Sequence, residues 1–258
     1  MATAAAAKKG STPATQDETQ LSHPPEAAAQ KLAADPWSAV QEVTDLKVLE
    51  KLKCLLIGPN GHGKTTCACR FRRPLVGVTE LQAVPSIREA NPNALIKTIR
   101  TFGDLLAFRQ LMGSAELSQR VDGVVLDSLT DAQRIIKDYQ TAQQPKRKDV
   151  TDQDTWGVII DKTARLAREL RDLPVHTIVI CLDREIEIEG EGIVHRPAVS
   201  GKALPSMLGQ YFNLVGYISR QTRVNGVRRE VMFEGPDRYQ TKRMTGLDEV
   251  EAPEPLLW

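Results

Sequence analysis

No stretch of this sequence approaches the ~18 consecutive apolar residues that a membrane span requires, and the N-terminus has no apolar core of the signal-peptide kind. The expectation is a soluble, cytoplasmic protein with no membrane partner. Net charge is missing as well, since 34 Lys and Arg stand against 33 Asp and Glu. That balance excludes a histone-like chain that holds nucleic acid by bulk charge alone. Cysteine is scarce. Cys54, Cys67, Cys69 and Cys181 make no CxxC pair, and no Cys/His set has zinc-finger spacing. Cys54 and Cys181 fall inside apolar runs, as small buried hydrophobes of a reducing compartment do. A repeat with a period of roughly 20–50 residues is also absent, which excludes solenoids and propellers.

What is present is a globular composition, 41% hydrophobic and 26% charged over 258 residues. Residues 1–35 are rich in Ala, Thr, Pro and Gln without an apolar period, and read as a disordered arm. Residues 36–247 form one domain, opening on a helical period over 37–52 (Val40, Val43, Leu46, Leu49), and 248–258 are an acidic tail. The ends hide the charge of the middle: residues 46–243 carry 31 basic and 23 acidic side chains, a net of +8.

Within the domain, KCLLI (53–57), PLVGV (74–78), GVVLD (123–127) and HTIVIC (176–181) read as buried strands. Between them Leu129, Ala132, Ile135, Ile136 and Tyr139 recur at helical spacing. So do Trp156, Ile159, Ile160, Thr163, Leu166, Ala167 and Leu170, behind a cap candidate at Asp154 or Thr155. Alternating strands and helices predict an α/β fold with a mainly parallel sheet flanked by helices. Near the end, Asn225-Gly226 between LVGYISRQTRV and VRREVMFE predicts an antiparallel hairpin centred on a type I′ turn.

The chemistry begins at Gly58-Pro59-Asn60-Gly61-His62-Gly63-Lys64-Thr65, with Thr66 following, which fits G-x-x-x-x-G-K-[ST] between a strand and a helix. Glycines let backbone N–H groups curl round phosphate oxygens, Lys64 reaches the β- and γ-phosphates, and Thr65 ligates Mg²⁺. His62 occupies a variable position and reads as a solvent-facing loop residue. Asp127 closes a buried strand facing that loop, where the second Mg²⁺ position is held. Ser128 stands where many ATPases place a catalytic Glu, so the water-activating carboxylate must come from elsewhere, and Glu80 after PLVGV is the best candidate.

A phosphate loop, a Glu after the next strand and a strand closing in Asp-Ser resemble the RecA-type ATPase core. More finely, Asp127-Ser128-Leu129-Thr130-Asp131, Trp156-Gly157, Leu173-Pro174, Pro197 with Ser200-Gly201-Lys202, and Thr241-Lys242-Arg243 resemble phage-encoded RecA-like ATPases of the single-strand-annealing recombinase type. The resemblance covers about residues 50–247 and excludes both ends. It implies ATP and Mg²⁺ as cofactors, Lys64, Thr65 and Asp127 at the nucleotide and metal, and Glu80 as catalytic base. It also implies a homo-oligomer in which Lys242 and Arg243 enter a neighbour's site, single-stranded DNA as partner, shared work with a single-strand-binding protein or another recombination partner, and a bacterial or phage-infected cytoplasm. DNA contacts would fall on Lys146, Arg147 and Lys148, and on Arg184, Arg196 and Lys202 around a polar loop over 183–200. Two departures stand out. Leu182-Asp183 replaces the Gln that RecA carries after this strand, and Asp183 would repel phosphate if it faced it. Glu185, Glu187, Glu189 and Glu191 crowd the DNA loop and suggest instead a β-hairpin with an acidic face that contacts protein. A small-molecule P-loop kinase and a nucleotide-controlled assembly module without DNA function remain the alternatives.

Overall fold

The computed structural model describes residues 51–144, 151–223 and 226–243. The expected helical period over 37–50, the basic run Lys146–Lys148 and both chain ends lie outside them. The element order is β1 (Lys53–Gly58), α1 (Lys64–Ala68), β2 (Pro74–Val78), α2 (Val84–Ala90), β3 (Leu95–Thr98), α3 (Phe102–Met112), α4 (Leu117–Arg120) and β4 (Gly123–Asp127). It continues with α5 (Leu129–Ala142), α6 (Gln153–Arg171), β5 (His176–Ile188), β6 (Gly192–Pro197), α7 (Leu204–Leu208), β7 (Leu214–Arg223), β8 (Gly226–Met232) and β9 (Lys242–Arg243).

The sheet runs β3-β2-β4-β5-β1-β7-β8, with β6 paired to β5 and β9 to β7. From β3 to β7 every pairing on that path is parallel, and β8 closes it antiparallel. Both faces are covered. Cys67 and Ala68 of α1 and Ile87 of α2 pack with Leu56, Val76 and Ile180 on one face. On the other, α3, α5, α6 and α7 close over Leu55, Val124 and Val179. Burial on both sides explains why β1, β2 and β4 are continuous apolar runs and not alternating ones. The four cysteines are buried and unpaired, and burial pushes the Cys69 and Cys181 thiols up to about 12.

Three expectations shift. Asp152, not Asp154 or Thr155, caps α6, accepting from the Thr155 N–H at 2.7 Å. β5 does not stop at Cys181 but runs on to Ile188 and turns back as β6, so 183–200 is largely an ordered hairpin and not a polar loop. In the last hairpin Arg223 pairs with Gly226, so Gly226 is a strand residue and the connection is residues 224–225, which are not described.

Candidate nucleotide site

The site grows from the C-terminal ends of β1, β2 and β4. After Gly58 the chain turns through Gly61 (φ +75°) and Gly63 (φ +92°), a left-handed backbone that glycine adopts without strain. The turn brings the start of α1 back across the end of β1, where N–H groups are unpaired within the helix. Lys64 is buried, and its ammonium donates to the carbonyls of Gly58 (2.9 Å) and Pro59 (2.7 Å). Burial lowers its pKa, while the Asp127 carboxylate opposes the shift.

Asp127 ends β4 beside β2, whose register pairs it with Val78. The Thr65 hydroxyl donates to Asp127 Oδ2 at 2.6 Å across the sheet. Burial pushes the Asp127 carboxyl above the usual carboxylate range, against the Thr65 hydroxyl and the Lys64 charge. Thr79 fixes the strand end: its N–H and hydroxyl both donate to the Asp127 carbonyl, at 2.8 and 3.0 Å, and its oxygen accepts from the Ser128 N–H at 3.0 Å. Ser128 then caps α5 by accepting from Asp131 N–H.

Glu80 lies two residues past β2, exposed, with Oε2 accepting from Gln82 at 2.6 Å. It shares a cavity of about 450 Å³ with Lys64, Thr65, Asp127, Thr66 and Arg229. The structure thus brings together Gly61, Gly63, Lys64, Thr65, Thr66, Asp127 and Glu80. Arg229 was not singled out for this site by sequence reasoning. His62 differs from expectation: it is half-buried, with Nδ1 enclosed and unpartnered among the described residues.

The residues fit a Mg²⁺-nucleotide. Gly61 and Gly63, both left-handed, add no side chain of their own to the loop, and the donor set at its end, a hydroxyl and a carboxylate, is the hard-oxygen chemistry Mg²⁺ takes. A larger cavity, about 720 Å³, lies at the opposite end of the sheet among Arg72, Arg73, Arg120 and His176. It is bordered by the segments that leave the C-termini of α1, α4 and α6.

A family description, AAA domain, matches residues 50–245. The chain belongs to that family. It is a nucleotide-binding P-loop ATPase domain. A search of curated proteins returns no match. Among solved structures the chain is similar to the flagellar accessory protein FlaH of Methanocaldococcus jannaschii, at 10% identity over 74% of this chain and 79% of that one, TM-score 0.36. It is similar to a KaiC-like protein of Pyrococcus horikoshii OT3, at 13% identity over 71% and 78%, TM-score 0.41. It is also similar to an ATPase from the type III secretion system of pathogenic bacteria, at 12% identity over 87% and 69%, TM-score 0.48. Among the described residues no helix is long and apolar enough to cross a membrane.

The other expected site residues lie apart from the phosphate loop. On the β5–β6 hairpin Arg184 pairs in register with Arg196, and Glu185 with His195, so the two arginines share one face while Asp183, Glu185 and Glu187 share the other. The acidic-faced hairpin is therefore what the alternation indicated. Arg184 is exposed, whereas Arg196 donates to the carbonyls of His195 (3.0 Å) and Arg238 (3.4 Å). Asp183 does not stand open to phosphate. Its Oδ2 bonds His195 Nδ1 at 2.6 Å and accepts from the Tyr217 hydroxyl at 2.9 Å, and its side chain is only 4% exposed. Lys202 is exposed, just after a reciprocal clamp in which Ser200 N–H donates to Gln133 Oε1 (2.5 Å) and Gln133 Nε2 to the Ser200 carbonyl (3.0 Å). On β9 the Lys242 ammonium donates to the carbonyls of Gly209 (3.2 Å) and Phe212 (2.8 Å), while Arg243 is exposed.

Proposed function

We propose that this chain binds ATP with Mg²⁺ and hydrolyses it as a homo-oligomer acting on single-stranded DNA, in recombination or strand annealing of the phage type. One observation carries the hydrolytic reading: Thr65 hydroxyl and Asp127 carboxylate lie 2.6 Å apart in the same cavity as Lys64 and Glu80. Lys64, released from its two carbonyls, binds the terminal phosphates, and the loop N–H groups orient them. Thr65 and Asp127 would hold Mg²⁺, with the Asp127 carboxylate keeping the Thr65 hydroxyl in place. When bound, the metal neutralises charge developing on the transferred phosphoryl group. Glu80 takes the proton from the attacking water. In the oligomer Lys242 and Arg243 meet a neighbour's site, the Lys242 ammonium on leaving the carbonyls of Gly209 and Phe212.

Support for the DNA partner is the net +8 of residues 46–243, together with Arg184 and Arg196 on one hairpin face. Cationic loops beside aromatic side chains suit single strands. The acidic face of the same hairpin favours a second reading, a nucleotide-controlled module that docks on protein. The deciding experiment is ATP turnover with and without single-stranded DNA, run beside sizing of the oligomer. Turnover stimulated by the DNA, in multimers, is expected. Turnover without any binding of single strands at low salt, with ATP and Mg²⁺ present, removes the DNA reading and leaves the docking module.

A further inference from the structure

The hairpin β7–β8 is not only the far edge of the sheet. β1 and β7 pair in register through Ile57 and Tyr217, where β1 is about to end. β7 continues six residues beyond, to Arg223, with β8 beside it. Side chains alternate faces along a strand, and residues directly opposite one another share a face. Ile218 opposite Val231 faces the α1 layer, where both pack with Leu56 and Cys67. One step of the period further along, Arg220 opposite Arg229 must project on that same face, and by then the strands have passed the end of β1 and reached the phosphate loop. Only one of the pair enters the nucleotide cavity. Arg229 forms part of its wall and covers Gly63 so closely that a Cβ at Gly63 would come 2.7 Å from Arg229 Cδ and 2.9 Å from Nε.

We propose that Arg229 is a phosphate ligand supplied in cis, a second cation that meets the polyphosphate of the nucleotide held by Lys64. The proposal rests on the ATP-site reading above and adds to it the source of the second positive charge. An arginine on an exposed hairpin ordinarily dissolves its charge in water or pairs with a neighbouring acid. Here the neighbouring acid is taken on the opposite face, where Arg228 Nε meets Glu230 Oε1 at 2.8 Å, and no carboxylate among the described residues pairs with Arg229. Its guanidinium lies instead against the one loop glycine that precedes Lys64. Gly63 therefore answers two demands, a left-handed backbone (φ +92°) and room for the arginine stem. A planar, permanently charged fork suits phosphate oxygens better than a lysine does.

The test is a fluorescence titration of the full chain with N-methylanthraniloyl-labelled ATP and ADP in Mg²⁺, comparing Arg229→Ala, Arg229→Gln, Arg229→Lys and Arg220→Ala. Arg229→Ala and Arg229→Gln are expected to weaken both nucleotides about tenfold, the worth of one charge-assisted hydrogen bond. Arg229→Lys recovers part of the loss, and Arg220→Ala, which removes the same charge from the same hairpin face, stays within about twofold. If Arg229→Ala destabilises the hairpin, the Gln and Lys variants keep the comparison, with thermal melting as the folding check. Wild-type binding with no change in the Arg229 variants overturns the proposal alone, and so does an equal loss in Arg220→Ala, which makes the effect one of bulk charge. Failure of the wild-type chain to bind either nucleotide overturns the ATP-site reading with it.

Discussion

The two ends of this sheet each hold a cavity lined with cations, and the smaller one is the candidate nucleotide site. At the C-terminal end, about 450 Å³ surrounds Lys64 and Arg229 together with Thr65, Asp127 and Glu80. At the N-terminal end, about 720 Å³ surrounds Lys51, Arg72, Arg73 and Arg120 with His176. The difference is the backbone. The first cavity receives a glycine loop and the start of α1, whose N–H groups seek acceptors, while the second is bordered by segments that leave helix C-termini and offer no such helix start. Side chains at that lower end bond carbonyls of the segments that follow two of these helices. Asn91 Nδ2 donates to Cys69 O at 3.0 Å and to Phe71 O, just past α1, and the Lys53 ammonium donates to Leu173 O (2.5 Å) and Val175 O (2.6 Å), past α6. A cluster of cations thus marks phosphate only where the main chain points the same way.

Substitutions at the two ends should separate cleanly. Lys64→Ala is expected to reduce ATP hydrolysis on the order of 10³-fold, and Arg72→Ala with Arg73→Ala to leave it within about twofold. A comparable loss at both ends, measured as initial phosphate release, would break the contrast. Glu80→Gln should lower turnover by about 10²-fold while nucleotide affinity, titrated separately, holds within about twofold. Asp127→Asn or Thr65→Val should raise the Mg²⁺ concentration for half-maximal turnover about tenfold, because the pair orders itself through one hydrogen bond. At the lower end the effects are on folding. Asn91→Ala strands two buried carbonyls and should cost about 1–3 kcal/mol in denaturant unfolding, with nucleotide affinity unchanged.

The smallest effect is a pH slope. Burial holds the Lys53 ammonium down at about 8, against an ordinary value of 10.5. Between those values the folded chain binds fewer protons here than the unfolded chain, so this lysine makes stability rise with pH. Below pH 8 both states keep the proton and the slope vanishes. Relative to Lys53→Met, the wild-type chain should therefore gain a few degrees in melting temperature between pH 8 and 10, and parallel curves for the two would remove the assignment.

The strands that build the nucleotide site were legible because they are buried on both faces: β1, β2 and β4 show no alternation to misread. β3 was not, since LIKT is a four-residue edge strand with Leu95 and Ile96 substantially exposed. The Walker-type loop declares itself by glycine spacing, and Asp127 by closing an apolar run. Asp183 was legible only as a departure. Its partners His195 and Tyr217 lie 12 and 34 residues away, and nothing local announces that a carboxylate there turns aside to meet them. Arg229 is one of two adjacent arginines in VRREVMFE, and nothing in that run singles it out. The signal that places it was present in the period of two running from Ile218 and Val231, but it becomes readable only once β7 is known to outrun β1.

The strand order carries a further consequence, for how the chain is made. β1 lies between β5 and β7 in the sheet, yet it is synthesised more than 110 residues before the first of them. On a ribosome the strand that launches the phosphate loop waits without a partner until residues 176–182 emerge, while β2, β3 and β4 can already zip together. Such long-range pairing is slow and leaves apolar edges open to other chains. The oldest part of the nucleotide pocket in translation is thus the last to be enclosed, and a nascent chain halted before β5 has a phosphate loop with no sheet on which to hold it.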